Sequence, residues 1–402
     1  MFEHVTAYPG DPILSLNEDF QRDGRTDKVN LSIGIYFDDA GKLPMMRAVR
    51  QAEMQLVAEH GNRPYLPMAG IGEYRDAVQA LVFGDHSAAL KEGRVATLQT
   101  VGGSGALKVG SDFLKRYFPE SQIWISDPSW ENHRVVFEGS GFQVNTYPYY
   151  DAITGGLRFN EMLRTLHGLP ERSIVLLHAC CHNPTGVDLS QEQWQAIIPA
   201  LRDRGLIAFI DMAYQGFGDG LEQDAFAVRA LTDSGVTCVV ANSFSKNFSL
   251  YGERCGGLSV VCSTSEEARR VLGQLTCTVR ANYSNPPTHG ARIIARVLNS
   301  PTQRSLWESE LGDMRERIFS MRRAIHDGLK GRVEDHTLAR YLNQRGMFTY
   351  TGLSAERVDR LRESYGVYLL RSGRMCVAGL NQSNVGIVAD AVAGVLRESS
   401  TI

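Results

Sequence analysis

The sequence predicts an α/β fold, a mainly parallel sheet flanked by helices, with a smaller α+β domain attached. Two patterns and one number predict it. Short, continuous apolar runs alternate with amphipathic helical segments through the middle of the chain, as expected for strands buried on both faces. From about Leu311 the character changes to a long charged helical stretch followed by short strands mixed with helices. A length of 402 residues also exceeds one ordinary core and predicts two or three domains.

The elements follow in order. Gly102-Gly-Ser-Gly105 is a glycine-rich turn that opens a helix over Ala106–Phe118, where Leu107, Gly110, Phe113, Leu114 and Tyr117 mark one face. Ile123-Trp-Ile-Ser126 is a strand that stops at Asp127-Pro128. Ile174-Val-Leu-Leu177 is another, stopping before His182-Asn-Pro-Thr-Gly186. A helix follows: Ser190 and Gln193 have capping-box spacing, Trp194, Ile197, Ile198 and Leu201 recur at helical period, and Gly205 sits where a C-cap belongs. Strands over Leu206–Ile210 and Thr237–Ala241 end at Asp211 and at Asn242-Ser243. Beyond Leu311, the runs at 347–350, 367–370 and 375–378 are the strands of the smaller domain. The reading divides the chain into an N-terminal arm with part of the small domain (1–43), a large domain (44–310) and a small C-terminal domain (311–402).

Composition narrows the function. A net charge of −3 creates no field for nucleic acid or an anionic membrane, so any anion must be held by a local site. The seven cysteines are scattered apart from Cys180-Cys181, with no C-x-x-C, which fits a reduced, cytoplasmic setting. Residues Met1–Asp11 carry no apolar signal-peptide core, and no apolar run approaches the roughly 20 residues of a membrane span.

In open parallel sheets ligands bind beyond the carboxyl ends of the strands. The residues that end these strands are Asp127, Asn183, Asp211 and Ser243, with Lys246 close behind. The Gly102–Gly105 turn presents backbone N–H groups to an anion at a helix N-terminus, though a tight turn without a ligand explains it equally. It is neither the dinucleotide fingerprint, since Lys108 replaces the third glycine, nor a Walker loop. Ser243-Phe-Ser-Lys246 with Arg254 offers two hydroxyls and a guanidinium to a phosphate dianion; alone, a polar turn is the default. The Ser-x-x-Lys of serine acyl-transfer enzymes is a rival, but its companion Ser-Asp-Asn and Lys-Thr-Gly elements do not occur. His178-Ala-Cys-Cys-His182 spans a strand end where alternate side chains face opposite ways, so we read it as strand packing and expect no metal.

Together these motifs resemble the fold-type I, class I aminotransferases, in the aspartate and aromatic amino-acid subgroup, and in detail its bacterial aromatic (tyrosine) branch. The resemblance runs from Val29-Asn-Leu-Ser-Ile-Gly34 to Gly373-Arg-Met-Cys-Val-Ala-Gly379. Its decisive segments are Ser126-Asp-Pro-Ser-Trp-Glu-Asn-His133, His182-Asn-Pro-Thr-Gly186, Asp211-Met-Ala-Tyr-Gln-Gly-Phe217, Ser243-Phe-Ser-Lys-Asn-Phe248 and Asn282-Tyr-Ser-Asn-Pro-Pro287.

It implies a seven-stranded sheet and pyridoxal 5′-phosphate (PLP) as cofactor, held as a Schiff base by Lys246, which then moves the proton in the exchange. That role needs a lysine that is partly deprotonated, which a cationic, partly buried site promotes. Asp211 would pair with the pyridinium nitrogen. Tyr214 and Asn183 would bond the phenolic oxygen, and Trp130 would stack on the ring. Gly103, Ser104, Ser243, Ser245 and Arg254 match the phosphate cup. Arg374 matches the clamp on the substrate α-carboxylate, where a planar guanidinium makes two parallel bonds, and Gly34 a position near the substrate on a segment that closes over it. Arg280 and Tyr65 match residues reaching from a partner subunit to the distal carboxylate and to the cofactor phosphate, which implies a homodimer with composite sites.

The implied reaction is amino-group exchange between aromatic L-amino acids, with aspartate accepted too, and 2-oxoglutarate. Ile35, Phe37 and Leu43 are apolar, and Ser104 follows the aromatic branch, whereas Asn285 follows the aspartate pattern and keeps an aspartate aminotransferase open. A β-lyase or decarboxylase on this fold would lack the Arg280 and Arg374 pair. A non-enzymatic relative would lose the lysine or carry a DNA-binding segment.

Overall fold

The computed structural model describes residues 1–8 and 10–397, with the backbone alone at positions 336 and 337. The chain forms two compact units, one of residues 44–316 and one of residues 1–43 with 317–402. The division falls inside the 29-residue helix Pro301–Leu329.

The strands are β1 (Val29–Asn30), β2 (Val95–Val101), β3 (Ile123–Asp127), β4 (Val144–Pro148), β5 (Ile174–His178), β6 (Ile207–Met212), β7 (Cys238–Ser243), β8 (Cys255–Val261), β9 (Phe348–Tyr350), β10 (Val367–Tyr368) and β11 (Arg374–Cys376). In the larger unit seven of them form one sheet in the order β2-β8-β7-β6-β5-β3-β4. All neighbours are parallel except β8, which runs antiparallel to β2 and β7. Every residue of β6, β7 and β8 is buried, as continuous apolar runs demand when helices cover both faces. On one face the helix Gly102–Tyr117 packs Leu107, Phe113 and Leu114 into a core with Phe209, Leu258 and Leu275.

The smaller unit holds two short sheets, β1 with β10 in parallel and β9 with β11 antiparallel. Among the described residues no helix is long and apolar enough to cross a membrane.

Three local expectations shift. The helix begins at Gly102 itself, so the glycine run is its first turn rather than a loop before it. β6 continues through Asp211 to Met212, because Asp211 and Met212 still find ladder partners at Ala241 and Asn242. The last strand is shorter than the apolar run 375–378: it spans Arg374–Cys376, and a 3-10 turn over Val377–Gly379 follows, closed by the Leu380 N–H on the Val377 carbonyl at 3.0 Å.

Candidate active site

The larger unit gathers its polar residues where β5, β6 and β7 end. Parallel register sets Asp211 of β6 directly opposite His178 of β5 and Ala241 of β7. From the helix Glu131–Glu138, His133 brings Nε2 to 2.8 Å from the Asp211 Oδ2. The other ring nitrogen of His133 lies 2.9 Å from the Ser129 hydroxyl. Burial pushes the Asp211 carboxyl up, but the His133 hydrogen bond, the neighbouring imidazoles and the Lys246 charge outweigh it, and the net direction is down. The group is therefore a buried carboxylate that stays ionised.

The other two histidines are held neutral. Burial lowers His178 to about 3, with further push from His133 against an opposing pull from Asp211. Burial likewise lowers His182, whose ring is fixed by Ser126 at 2.9 Å and Thr185 at 2.8 Å and stacks on Tyr149 at 4.0 Å.

Lys246 sits half-buried in the turn that follows β7, its ammonium 4.9 Å from the centre of the Tyr214 ring. The Asn183 amide reaches the Tyr214 hydroxyl at 3.5 Å. Two carboxylates hold the loops that carry this pair. Asp188 accepts the backbone N–H groups of Cys181 (2.6 Å) and His182 (2.7 Å), fixing the loop that leads to Asn183. Asp224 accepts those of Gly216 (2.7 Å), Gly218 (3.0 Å) and Asp219 (2.9 Å), fixing the loop after Tyr214. Sequence reasoning missed both, and also His133, whose partner is 78 residues away.

An anion cradle adjoins this cluster. Arg254, at φ +54, donates to the Ser245 hydroxyl at 3.2 Å and to the Tyr251 carbonyl at 3.0 Å, and the Ser243 hydroxyl lies 3.3 Å from that of Ser245. The Gly102 N–H donates to the Arg254 carbonyl at 2.9 Å. A Cβ on Gly102 would lie 2.6 Å from an Arg254 guanidinium nitrogen, and one on Gly103 would lie 3.0 Å from the Ser243 Cβ. The close approach leaves the first-turn N–H groups of the helix Gly102–Tyr117 facing the two hydroxyls and the guanidinium. Helix N-terminus, hydroxyls and guanidinium make a donor set suited to a phosphate dianion. With Asp211 as an ionised carboxylate for a protonated ring nitrogen and Lys246 as an amine, the set fits pyridoxal phosphate.

The remaining expected residues lie as follows. Trp130 caps the His133 helix and meets the His133 ring edge-on at 5.2 Å, and Ser104 is in the first turn beside Gly103. Tyr65 is 91% exposed; Arg280 is exposed at the end of the helix Ser265–Asn282, bonded to the Ser284 hydroxyl at 2.5 Å. In the smaller unit Arg374 is 1% exposed, donates to the Ser32 carbonyl at 2.6 Å and lies 4.3 Å from the centre of the Phe348 ring. Phe348 also meets Gly34, where a Cβ would sit 2.9 Å from its Cζ, so Gly34, Phe348 and Arg374 form one packed group. Cys180 and Cys181 group with Asp224, and His178 with His133 and Asp211, so the segment 178–182 does not converge on one ligand set.

The family model for class I and II aminotransferases matches residues 26–392. The aromatic-amino-acid aminotransferase of Escherichia coli K12 is 58% identical over 397 residues, 98% of this chain and all of that one. The crystal structure of an aromatic amino acid aminotransferase from Burkholderia cenocepacia superposes with a TM-score of 0.96 at 66% identity, covering 98% of this chain and 99% of that one. An aromatic-amino-acid aminotransferase from Burkholderia pseudomallei, covalently bound to pyridoxal phosphate, gives a TM-score of 0.96 at 50% identity over 99% of this chain and all of that one.

Proposed function

This chain belongs to the class I and II aminotransferases, and from that premise we propose that it exchanges an amino group between aromatic L-amino acids and 2-oxoglutarate, with Lys246 holding the cofactor. The observation that carries the residue assignment is the convergence, in one unit, of a half-buried lysine, an ionised buried carboxylate and an anion cradle. When bound, pyridoxal phosphate supplies a protonated pyridine ring that accepts the electron pair left at the substrate Cα.

The chain's own residues do the rest. Asp211, oriented by His133, would keep the ring nitrogen protonated; Tyr214 and Asn183 would hold the phenolic oxygen, and Trp130 would cover one ring face. Gly103, Ser104, Ser243, Ser245 and Arg254 hold the phosphate. The Lys246 amine would take the proton from Cα and hold it for transfer, and a positioned acid–base of this kind contributes roughly 10²–10⁴-fold. Arg374 clamps the α-carboxylate, with Gly34 beside it.

Tyr65 and Arg280 act in a second copy of the chain, on the cofactor phosphate and on the distal carboxylate of 2-oxoglutarate. Their exposure in a single chain supports that reading, and the enzyme is then a homodimer. It works on small molecules in the cytoplasm.

Ile35, Phe37, Leu43 and Ser104 favour an aromatic ring, since a ring buries roughly 150–250 Å² of surface. Asn285 favours the second reading, an enzyme that also serves aspartate. The test is the absorbance spectrum of the purified protein before and after L-phenylalanine without any oxo acid. We expect the cofactor band to shift to that of the aminated form, and the shift to vanish in Lys246→Ala. A band that responds only to aspartate moves the specificity to the second reading; no band after adding PLP overturns the proposal.

A further inference from the structure

Four arginines line one cavity of about 350 Å³ in the smaller unit: Arg332, Arg340, Arg357 and Arg397. They come from separate places, Arg332 from the turn after the helix Pro301–Leu329 and the others from the helices Asp335–Asn343, Ala355–Tyr365 and Val385–Arg397. The chain as a whole is slightly acidic, so this concentration of positive charge is local.

Neutralisation within the cavity is incomplete. Asp390 pairs with Arg332 at 2.7 Å, and Glu334 is the one carboxylate among the described lining residues. The guanidinium groups of Arg357 and Arg397 have no hydrogen bond or ion pair among the described residues. Arg340 is only 6% exposed, and Gly352, at φ +76, makes room for it: a Cβ there would lie 2.1 Å from the Arg340 Nη1. The wall is thus built to hold a guanidinium under the cavity floor, while two more face in from the sides. Like charges gathered this way repel, and an anion between them turns the repulsion into attraction.

We propose that this cavity binds a small polyvalent oxyanion, a phosphate or a compact polycarboxylate, through the planar forks of these arginines. Guanidinium groups suit both because each presents paired N–H donors at the spacing of two oxygens. The site is independent of the cofactor's phosphate cradle, which belongs to residues 102–104, 243–245 and 254 of the other unit.

The experiment is calorimetric titration of the PLP-loaded enzyme with inorganic pyrophosphate and, separately, with citrate. The cofactor occupies its own cradle, so pyrophosphate cannot report on it. One site per chain is expected, with affinity about tenfold lower in Arg357→Gln and in Arg397→Gln, the scale of one lost charge-assisted bond. The double variant should lose binding, keep its melting temperature without anion, and keep kcat for L-phenylalanine with 2-oxoglutarate. Whichever anion binds more tightly identifies the source. Absence of heat with both anions at millimolar concentration, or affinity unchanged in the double variant, overturns the proposal.

Discussion

The two ends of the seven-stranded sheet are built from the same strands and look nothing alike. Where β5, β6 and β7 end, the chain places His178, Asp211, Ser243 and then Lys246, with Asp211 bonded to His133 at 2.8 Å and Ser243 to Ser245 at 3.3 Å. Where β6 and β7 begin, Ile207 and Val239 border a cavity of about 870 Å³ that Phe113, Leu114, Tyr117 and Val260 also line. Its walls are mostly apolar, without the buried carboxylate, lysine and paired hydroxyls of the other end. Two of its rim arginines are already paired, Arg94 with Glu92 and Arg270 with Glu266. Parallel pairing gathers the polar side chains, because it sets the last residues of the parallel strands side by side at one end only.

The largest effect that tests this contrast is at the polar end. Lys246→Ala should lower kcat by at least the roughly 10²–10⁴-fold of a lost acid–base, with the melting temperature nearly unchanged. Stopped-flow rates with L-phenylalanine, read beside a thermal melt, would check it. Substantial turnover in the variant would break the contrast, since the polar end would then not be where the chemistry lies.

The opposite end should respond in the reverse sense. Phe113 is 7% exposed and packs against Tyr117 with ring centres 5.0 Å apart. Phe113→Ala should cost about 3 kcal/mol of stability, the lower range for a buried aromatic because a cavity already adjoins it. In urea the midpoint should fall while kcat at 25 °C stays at the wild-type value. A parallel loss of kcat would show the two ends to be coupled.

A smaller effect, again at the polar end, separates charge from packing. His178 is lowered from 6.5 to about 3 by burial first and by the His133 charge second, Asp211 opposing. Its Nε2 has no hydrogen-bond partner among the described residues. The sign is that of a depressed group: above the unfolded value of 6.5 both states are neutral, and the contribution to stability is complete. Below 6.5 the unfolded chain takes up the proton first, so stability falls toward about 3. The expected result is a urea midpoint that drops less between neutral pH and pH 5 in His178→Asn than in the wild type. Equal drops would mean that folding leaves the His178 imidazole at its unfolded value, so burial does not depress it.

Much of this contrast is legible in the sequence, and what escapes it has a physical cause. The apolar runs announce strands because burial on both faces leaves no room for alternation, and their polar last residues announce the end where ligands bind. The capping box at Ser190 and Gln193 is local, and forms as its spacing predicts. The direction of β8 is not local: Cys-Gly-Gly-Leu-Ser-Val-Val carries no period, and only its pairing with β2 and β7 makes it antiparallel. His133 escapes notice because its tie to Asp211 spans two separate segments. So do Asp188 and Asp224, whose acceptors serve backbone N–H groups of loops rather than side chains. One missed element had a readable signal. The helix Pro12–Arg22 starts with Pro at N1 behind Asp11, whose carboxylate accepts from Ile13 and Leu14 at 2.9 Å. A cap residue followed by proline is a helix start on sequence grounds alone.

The smallest effect concerns the connection that returns from the polar end to the apolar one. The helix Gln191–Asp203 follows the Asn183 loop and leads back to Ile207, where β6 begins. The Ser190 hydroxyl accepts the Gln193 N–H at 3.2 Å, and the Gln193 side chain accepts the Ser190 N–H at 2.8 Å. Ser190→Ala removes the first bond and leaves an N-terminal N–H to water, which costs about 1 kcal/mol. The site is exposed, so no cavity adds to that figure. Because Asp188, rather than the helix cap, holds the loop that carries Asn183, kcat and KM should not move while the urea midpoint falls slightly. A change in KM for L-phenylalanine would show that the cap itself orients Asn183, and the polar end would then extend one helix turn further than its hydrogen bonds indicate.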